Sequence, residues 1–296
     1  MGWLSWLSDL FGGGKVKKAK KVLEKEASSS RPLYGRAITE DGFEAVRQDL
    51  KVGPAEIWTV IAVETRGYGF LKSKLPQILF ERHIFRRETD GRFDGEAPDI
   101  SNAKAGGYVG GQAEYGRLQK AASLDRMAAL RSASWGLGQI MGFNAEPLGY
   151  DSAEDMVDRM RRSEDAQLDG IARFLEENGL QKPLKNHDWA TFARRYNGPA
   201  YAKNRYDERL AAEYRRFSRG VLPDLNVRAA QLYLEYMGYT PYGIDGIMGS
   251  KTRAAIDLFS DVHRLGVDVD ALATVPDDLL AKMETEMAKI EATWPL

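Results

Sequence analysis

From about residue 34 the apolar positions of the chain recur three and four apart, the rhythm of helices that bury one stripe. Phe43, Val46 and Leu50 carry it first, behind Thr39-Glu40-Asp41. Gly53-Pro54 closes that helix and opens the next with proline in its first turn, and the second helix is expected to run to about Thr65. The period changes over residues 68 to 86. There Phe70-Leu71 and Ile78-Leu79-Phe80 flank the polar Lys72-Ser73-Lys74, which predicts a small hairpin or an extended excursion. A loop rich in Gly and Asp follows to about residue 111. Helical spacing returns near 112–131, 152–162, 164–178, 188–196 and 204–218, each stretch broken by Gly, Pro or Asn.

A connector from Gly220 to Asp224 leads to a second helical unit. Val227 to Tyr239 is amphipathic, Ile244 to Phe259 reads as a turn feeding another helix, and an acidic helix near 277–292 completes the unit with a face to solvent. The expected organisation is a tail and linker over 1–31, a mainly α (α+β) domain with a small β-hairpin over 32–219, and a three-helix domain over 221–296. Removal of residues 221–296 is expected to spare the fold of the rest.

The first eleven residues carry a Trp and Leu stripe, followed by Gly12-Gly13-Gly14 and a lysine run. This order is the reverse of a signal peptide, and the stretch is too short to span a bilayer. A peripheral anchor on an anionic membrane and a tail that docks on its own protein are both open readings. Hydrophobic residues at 43%, charged residues at 29% and a formal net charge of -1 are those of an ordinary globular chain, with no basic excess to attract nucleic acid. Cysteine is absent, which excludes disulfides and thiolate metal sites and suits reducing and oxidising compartments equally.

Candidate chemistry begins at Glu64, which shares a helix face with Ile57 and Ile61 and precedes the Gly67-Tyr68-Gly69 break. A carboxyl among apolar walls has a raised pKa, as a general acid needs; the competing reading is a helix-terminal Glu that turns to solvent or pairs with Arg66. Ser134-Trp-Gly-Leu-Gly-Gln139-Ile-Met-Gly142 combines small residues with a glutamine, as where a polymer approaches the backbone, or as in a tight turn between helices. Tyr196-Asn197-Gly198 places an aromatic and an amide at a helix stop, suited to stacking on and hydrogen-bonding a sugar, or to capping a helix over a buried Tyr. The three histidines have no metal-ligand spacing, so His83 is read as structural and no metal or cofactor is expected. Trp135 and Trp189 are read as core residues rather than sugar platforms.

In that order, the three stretches resemble the lysozyme superfamily, goose-type lysozymes and lytic transglycosylases included. Residues 34 to 218 resemble more closely the N-acetylmuramidase domain of modular phage endolysins, through Val63-Glu-Thr-Arg-Gly-Tyr-Gly-Phe-Leu71, Ile78-Leu-Phe-Glu-Arg-His-Ile-Phe85, Ser132 to Gly142 and Tyr196-Asn-Gly-Pro199. The resemblance implies a lysozyme-like fold that cleaves the β-1,4 bond between N-acetylmuramic acid and N-acetylglucosamine, with Glu64 as the acid and Gln139, Tyr196 and Asn197 on the substrate. Relatives often carry an Asp in the hairpin where this chain has Lys72-Ser73-Lys74. Ser73, Thr89, Asp90 and Asp94 are the candidates to orient water, and Glu81 is read as support tied to Arg82 or His83.

The pattern Asp245-Gly246-x-x-Gly249-x-x-Thr252 resembles the three-helix peptidoglycan-binding domain of many wall hydrolases, with Asp245 bracing a turn, Gly246 and Gly249 permitting its dihedrals and Thr252 opening the next helix. A helical hairpin of purely structural purpose is the alternative. The implied partner is bacterial peptidoglycan, met by a monomer. The implied location is the periplasm, reached from the cytoplasm through holin pores or another export route. A lytic transglycosylase and a catalytically silent wall-binding protein are the rival functions.

Overall fold

A computed structural model of the protein describes residues 33–65, 67–198 and 201–296. The expectations about the N-terminal stripe, its membrane contact and Arg66 lie outside the described residues. Residues 34–296 form one compact unit with thirteen α-helices and a small sheet among the described residues.

The first helix, α1 (Glu40–Leu50), starts where the Thr39 hydroxyl accepts from the Gly42 N–H, satisfying one of the free donors of its first turn. It turns Phe43, Val46 and Leu50 inward. α2 (Pro54–Thr65) begins at the expected proline but is not amphipathic: Ile57, Trp58, Thr59, Val60, Ile61 and Val63 are all buried, so nearly every face meets protein. A helix that is apolar all round belongs at the centre of a core. At roughly 1.5–3 kcal/mol for each large apolar side chain, burying it contributes on the order of 10 kcal/mol before entropy. Its neighbours in that core come from α7 (Glu164–Glu177), α9 (Trp189–Tyr196) and α10 (Tyr206–Arg219).

The expected excursion over 68–86 resolves differently. A tight hairpin closes over Phe70 to Pro76, with the Leu71 N–H donating to Leu75 O at 2.8 Å. The strand that follows, β1 (Ile78–Phe80), does not pair within it. It pairs antiparallel with β2 (Ala133–Trp135), which pairs in turn with β3 (Ile140–Met141). Chain then enters α3 (Arg82–Glu88), where the hairpin's second arm was expected to continue. The predicted helix at 112–131 breaks into α4 (Glu114–Leu124) and α5 (Arg126–Arg131), because the Asp125 carboxylate accepts from the Ala128 N–H and starts a new helix. Ser152 and Ser163 cap α6 (Ala153–Arg162) and α7 in the same way, and the short α8 (Gln181–Lys185) precedes α9.

The C-terminal helices are α11 (Leu225–Met237), α12 (Ser250–His263) and α13 (Asp277–Met287). Contrary to the expected helix to 292, α13 ends at Met287, and Leu279, Met283 and Met287 turn inward. The chain beyond it reaches the preceding domain, where Arg161 lies 3.8 Å from the centre of the Trp294 ring and Gln119 donates to Pro295 O at 3.0 Å. Ala37 and Phe70 share one apolar cluster with Val227, Leu234, Phe259 and Met283. The C-terminal helices are therefore built into the rest of the fold rather than hung on a linker. Removal of residues 221–296 would take that cover from Ala37 and Phe70. No helix among the described residues is long and apolar enough to cross a membrane.

Candidate active site

Glu64 occupies the last turn of α2 and is half-buried. Two elements close over it. Asn197, the residue that ends α9, donates its Nδ2 to Glu64 Oε1 at 3.1 Å. Arg209 on α10 donates its Nη2 to Val63 O at 2.8 Å and lies over the Tyr206 ring, 5.0 Å from its centre. Burial pushes the Glu64 carboxyl up to about 7, and the hydrogen bond from Asn197 and the charge of Arg209 oppose that shift without cancelling it. The Tyr196 phenol is held well above its ordinary value by burial first and by the Glu64 charge second. It stacks on Phe192 and donates to Gly138 O at 2.9 Å, tying α9 to the turn between β2 and β3. A carboxyl kept neutral to about pH 7 is a proton donor. The Oδ1 of Asn197 beside it is buried without a hydrogen-bond partner.

The other candidates fall in several places. Gln139 has φ 48° and spends its amide inside the β2–β3 turn, accepting from Ser134 Oγ at 2.8 Å and donating to Gly136 O at 2.9 Å. Gly138 must be glycine there, since a Cβ would lie 2.3 Å from Ile171 Cγ1. Ser73 hydrogen-bonds Gln112, buried Thr89 donates to Phe85 O at 2.8 Å, and Asp90 is an exposed residue at φ 52°. Asp94 is held by Ser101 at 2.6 Å and Arg86 at 2.7 Å, which keep its carboxyl below the usual range. None of these four hydrogen-bonds to Glu64. Glu81 lies 3.1 Å from His83 Nδ1, as support, and also accepts from the Tyr108 hydroxyl at 2.8 Å. Trp135 is fully buried and donates to Leu130 O, whereas Trp189 is half-buried against His187 and Tyr214. Among the described residues no group of three or more His, Asp or Glu is placed to hold a metal ion.

In the C-terminal helices the Asp-Gly-x-x-Gly-x-x-Thr stretch is organised by a residue outside it. The buried Gln231 accepts from the Asp245 and Gly246 N–H groups and donates to Asp245 Oδ1 at 2.9 Å and Thr252 Oγ1 at 3.0 Å. Gly246 has φ 72°, and a Cβ there would lie 2.7 Å from Pro223. Gly249 differs from the expectation: with φ -87° and open space around it, it needs no special dihedral. Nor does Thr252 open the helix, which starts at Ser250 and leaves Thr252 buried in its first turn.

Two family models match the chain: N-acetylmuramidase over residues 53–218, more than half of its 296 residues, and putative peptidoglycan binding domain over residues 223–268. The chain belongs to the N-acetylmuramidase family. Among solved structures it is similar to a Burkholderia AP3 phage endolysin, with 39% identity and a TM-score of 0.58 over 62% of this chain and 72% of that one. No curated protein matches it. The muramidase is thus a peptidoglycan-cleaving glycosidase that carries a peptidoglycan-binding domain, and its partner is peptidoglycan.

Two residues beside Glu64 escaped the reading of the sequence. Arg209 and Tyr206 lie on α10, whose Arg- and Glu-rich surface resembles any solvated helix, and no spacing signal separates the arginine that acts on the Glu64 carboxyl from the others.

Proposed function

We propose that the muramidase hydrolyses the β-1,4 bond between N-acetylmuramic acid and N-acetylglucosamine, with Glu64 as general acid. The observation that carries this reading is a carboxyl at the end of a central helix whose pKa burial lifts to about 7. Such a group is largely protonated below pH 7 and can give its proton to the leaving glycosidic oxygen as the sugar becomes oxocarbenium-like. Asn197 orients the acid through Nδ2, and its unpartnered Oδ1 suits a sugar hydroxyl or an acetamido N–H. Tyr196 ties α9 to the β2–β3 turn. Gln139 acts on the sugar through the backbone it shapes, because its amide is already engaged.

One observation favours a second reading, a lytic transglycosylase. The groups that shift the pKa of Glu64 are an amide and a guanidinium, with no second acid among them, and the hairpin after it carries Lys72 and Lys74 where a carboxylate would stand. An enzyme that closes a 1,6-anhydro ring needs no carboxylate to activate water. Mass spectrometry of digested peptidoglycan separates the two. Hydrolysis gives reducing N-acetylmuramic acid ends; anhydro-muropeptides as the main product would replace it with transglycosylation.

A further inference from the structure

The segment that follows Glu64, Gly67 to Gln77, is held in part from outside its own domain. Arg228 of α11 is fully buried and forms a two-pronged ion pair with the equally buried Glu164, with Nη2 2.7 Å from Oε1. The same Nη2 donates to Gly67 O at 2.6 Å, and Glu164 Oε1 accepts from the Gly69 N–H at 2.8 Å. The cation from the C-terminal helices thereby holds the Gly67 end of the Gly67-Tyr68-Gly69 turn, three residues beyond Glu64, while its ion-pair partner Glu164, from the turn's own domain, holds the Gly69 end. Further along, Lys72 pairs with Glu235 of α11 at 3.0 Å. Lys74 is buried, and its Nζ donates to Ile290 O at 2.8 Å and Met287 O at 3.3 Å, where α13 ends and a positive charge is favoured. Its backbone has φ 61°, a left-handed conformation that costs a non-glycine residue energy and persists only where the surroundings impose it. The two lysines that displace the expected carboxylate therefore contact α11 and the end of α13.

We propose that the peptidoglycan-binding helices are a working part of the catalytic machinery, with Arg228 and Lys74 as positioning residues that set the segment following Glu64 and so govern turnover. This rests on the reading of Glu64 as the acid. A cation drawn from α11 and a lysine stem buried against the end of α13 give the hairpin one conformation only while those helices are docked. A neutral side chain of similar length at position 74 keeps the packing and loses both hydrogen bonds to the carbonyls.

The test is Lys74→Met in the full chain, read by kcat and KM for release of reducing ends from purified walls, by sedimentation with walls, and by amide exchange. About a tenfold fall in kcat is expected, with KM within twofold, wall sedimentation unchanged and faster exchange at the Leu71 and Lys74 amides. Lys74→Arg should restore most of kcat. A kcat within twofold of the parent, whatever happens to the melting temperature, overturns the proposal. Should Lys74→Met not fold, denaturant-dependent exchange of the unaltered protein decides: the Leu71 and Lys74 amides should open in the same step as those of α13, and separate opening overturns the proposal. If the unaltered protein releases no sugar ends, the reading of Glu64 falls, while the exchange experiment still decides whether the helices hold the hairpin.

Discussion

A carboxyl at the end of a helix ordinarily turns to water, and Glu64 is kept from doing so by Asn197 on one side and by the Arg209 and Tyr206 pair on the other. Burial raises its pKa to about 7, so the acid form predominates below that pH and the proposed proton donor is lost as pH rises through it. A rate profile on walls is expected to fall on its basic side near pH 7. Arg209 and Asn197 both favour the ionised form, so Arg209→Gln or Asn197→Ala should move that fall to higher pH; a shift to lower pH, or none, would contradict the assigned roles. At this scale the sequence exposed Glu64 and Asn197, because each stands in a motif beside a helix stop. It concealed Arg209, because the fold alone turns one of many arginines on α10 toward the acid.

Elements show the same division. Helices with a long apolar rhythm were legible to within a few residues, as α6 and α7 are, since their stripes and serine caps agree. The strands β2 and β3 were not. Each is only two or three residues long, and β2 is buried throughout, so neither has the alternation by which a strand is recognised. The partner of β1 lies more than fifty residues away, which no local pattern reports. The turn in the binding domain depends on Gln231, a residue that reads as the polar side of an amphipathic helix yet is fully buried. Gln231→Leu would leave the Asp245 and Gly246 N–H groups and the Thr252 hydroxyl short of a partner, at a cost of about 2–4 kcal/mol. Chemical denaturation would measure it. A change under about 0.5 kcal/mol, the ordinary range for a surface substitution, would show that the turn holds without its amide.

For the whole molecule, the consequence is that the two matched domains share one compact unit. The connector at Gly220 to Asp224 reads in sequence as a boundary between separable domains, and nothing local reveals that Glu164 takes its counter-charge from the far side of it. Truncation after Gly220 would remove the counter-charge of Glu164 and would uncover Phe70. The truncated protein is expected to be insoluble or to melt far below the full chain, as a thermal melt would show; an unchanged melting temperature would mean that the helices add nothing to the fold. The full chain with Glu64→Gln provides the most direct measurement, because wall binding and bond cleavage can be read on the same molecule. Release of reducing N-acetylmuramic acid ends should fall by about 10²–10⁴, the usual worth of a general acid, with sedimentation on walls unchanged. Release within tenfold of the parent would show that some other group donates the proton.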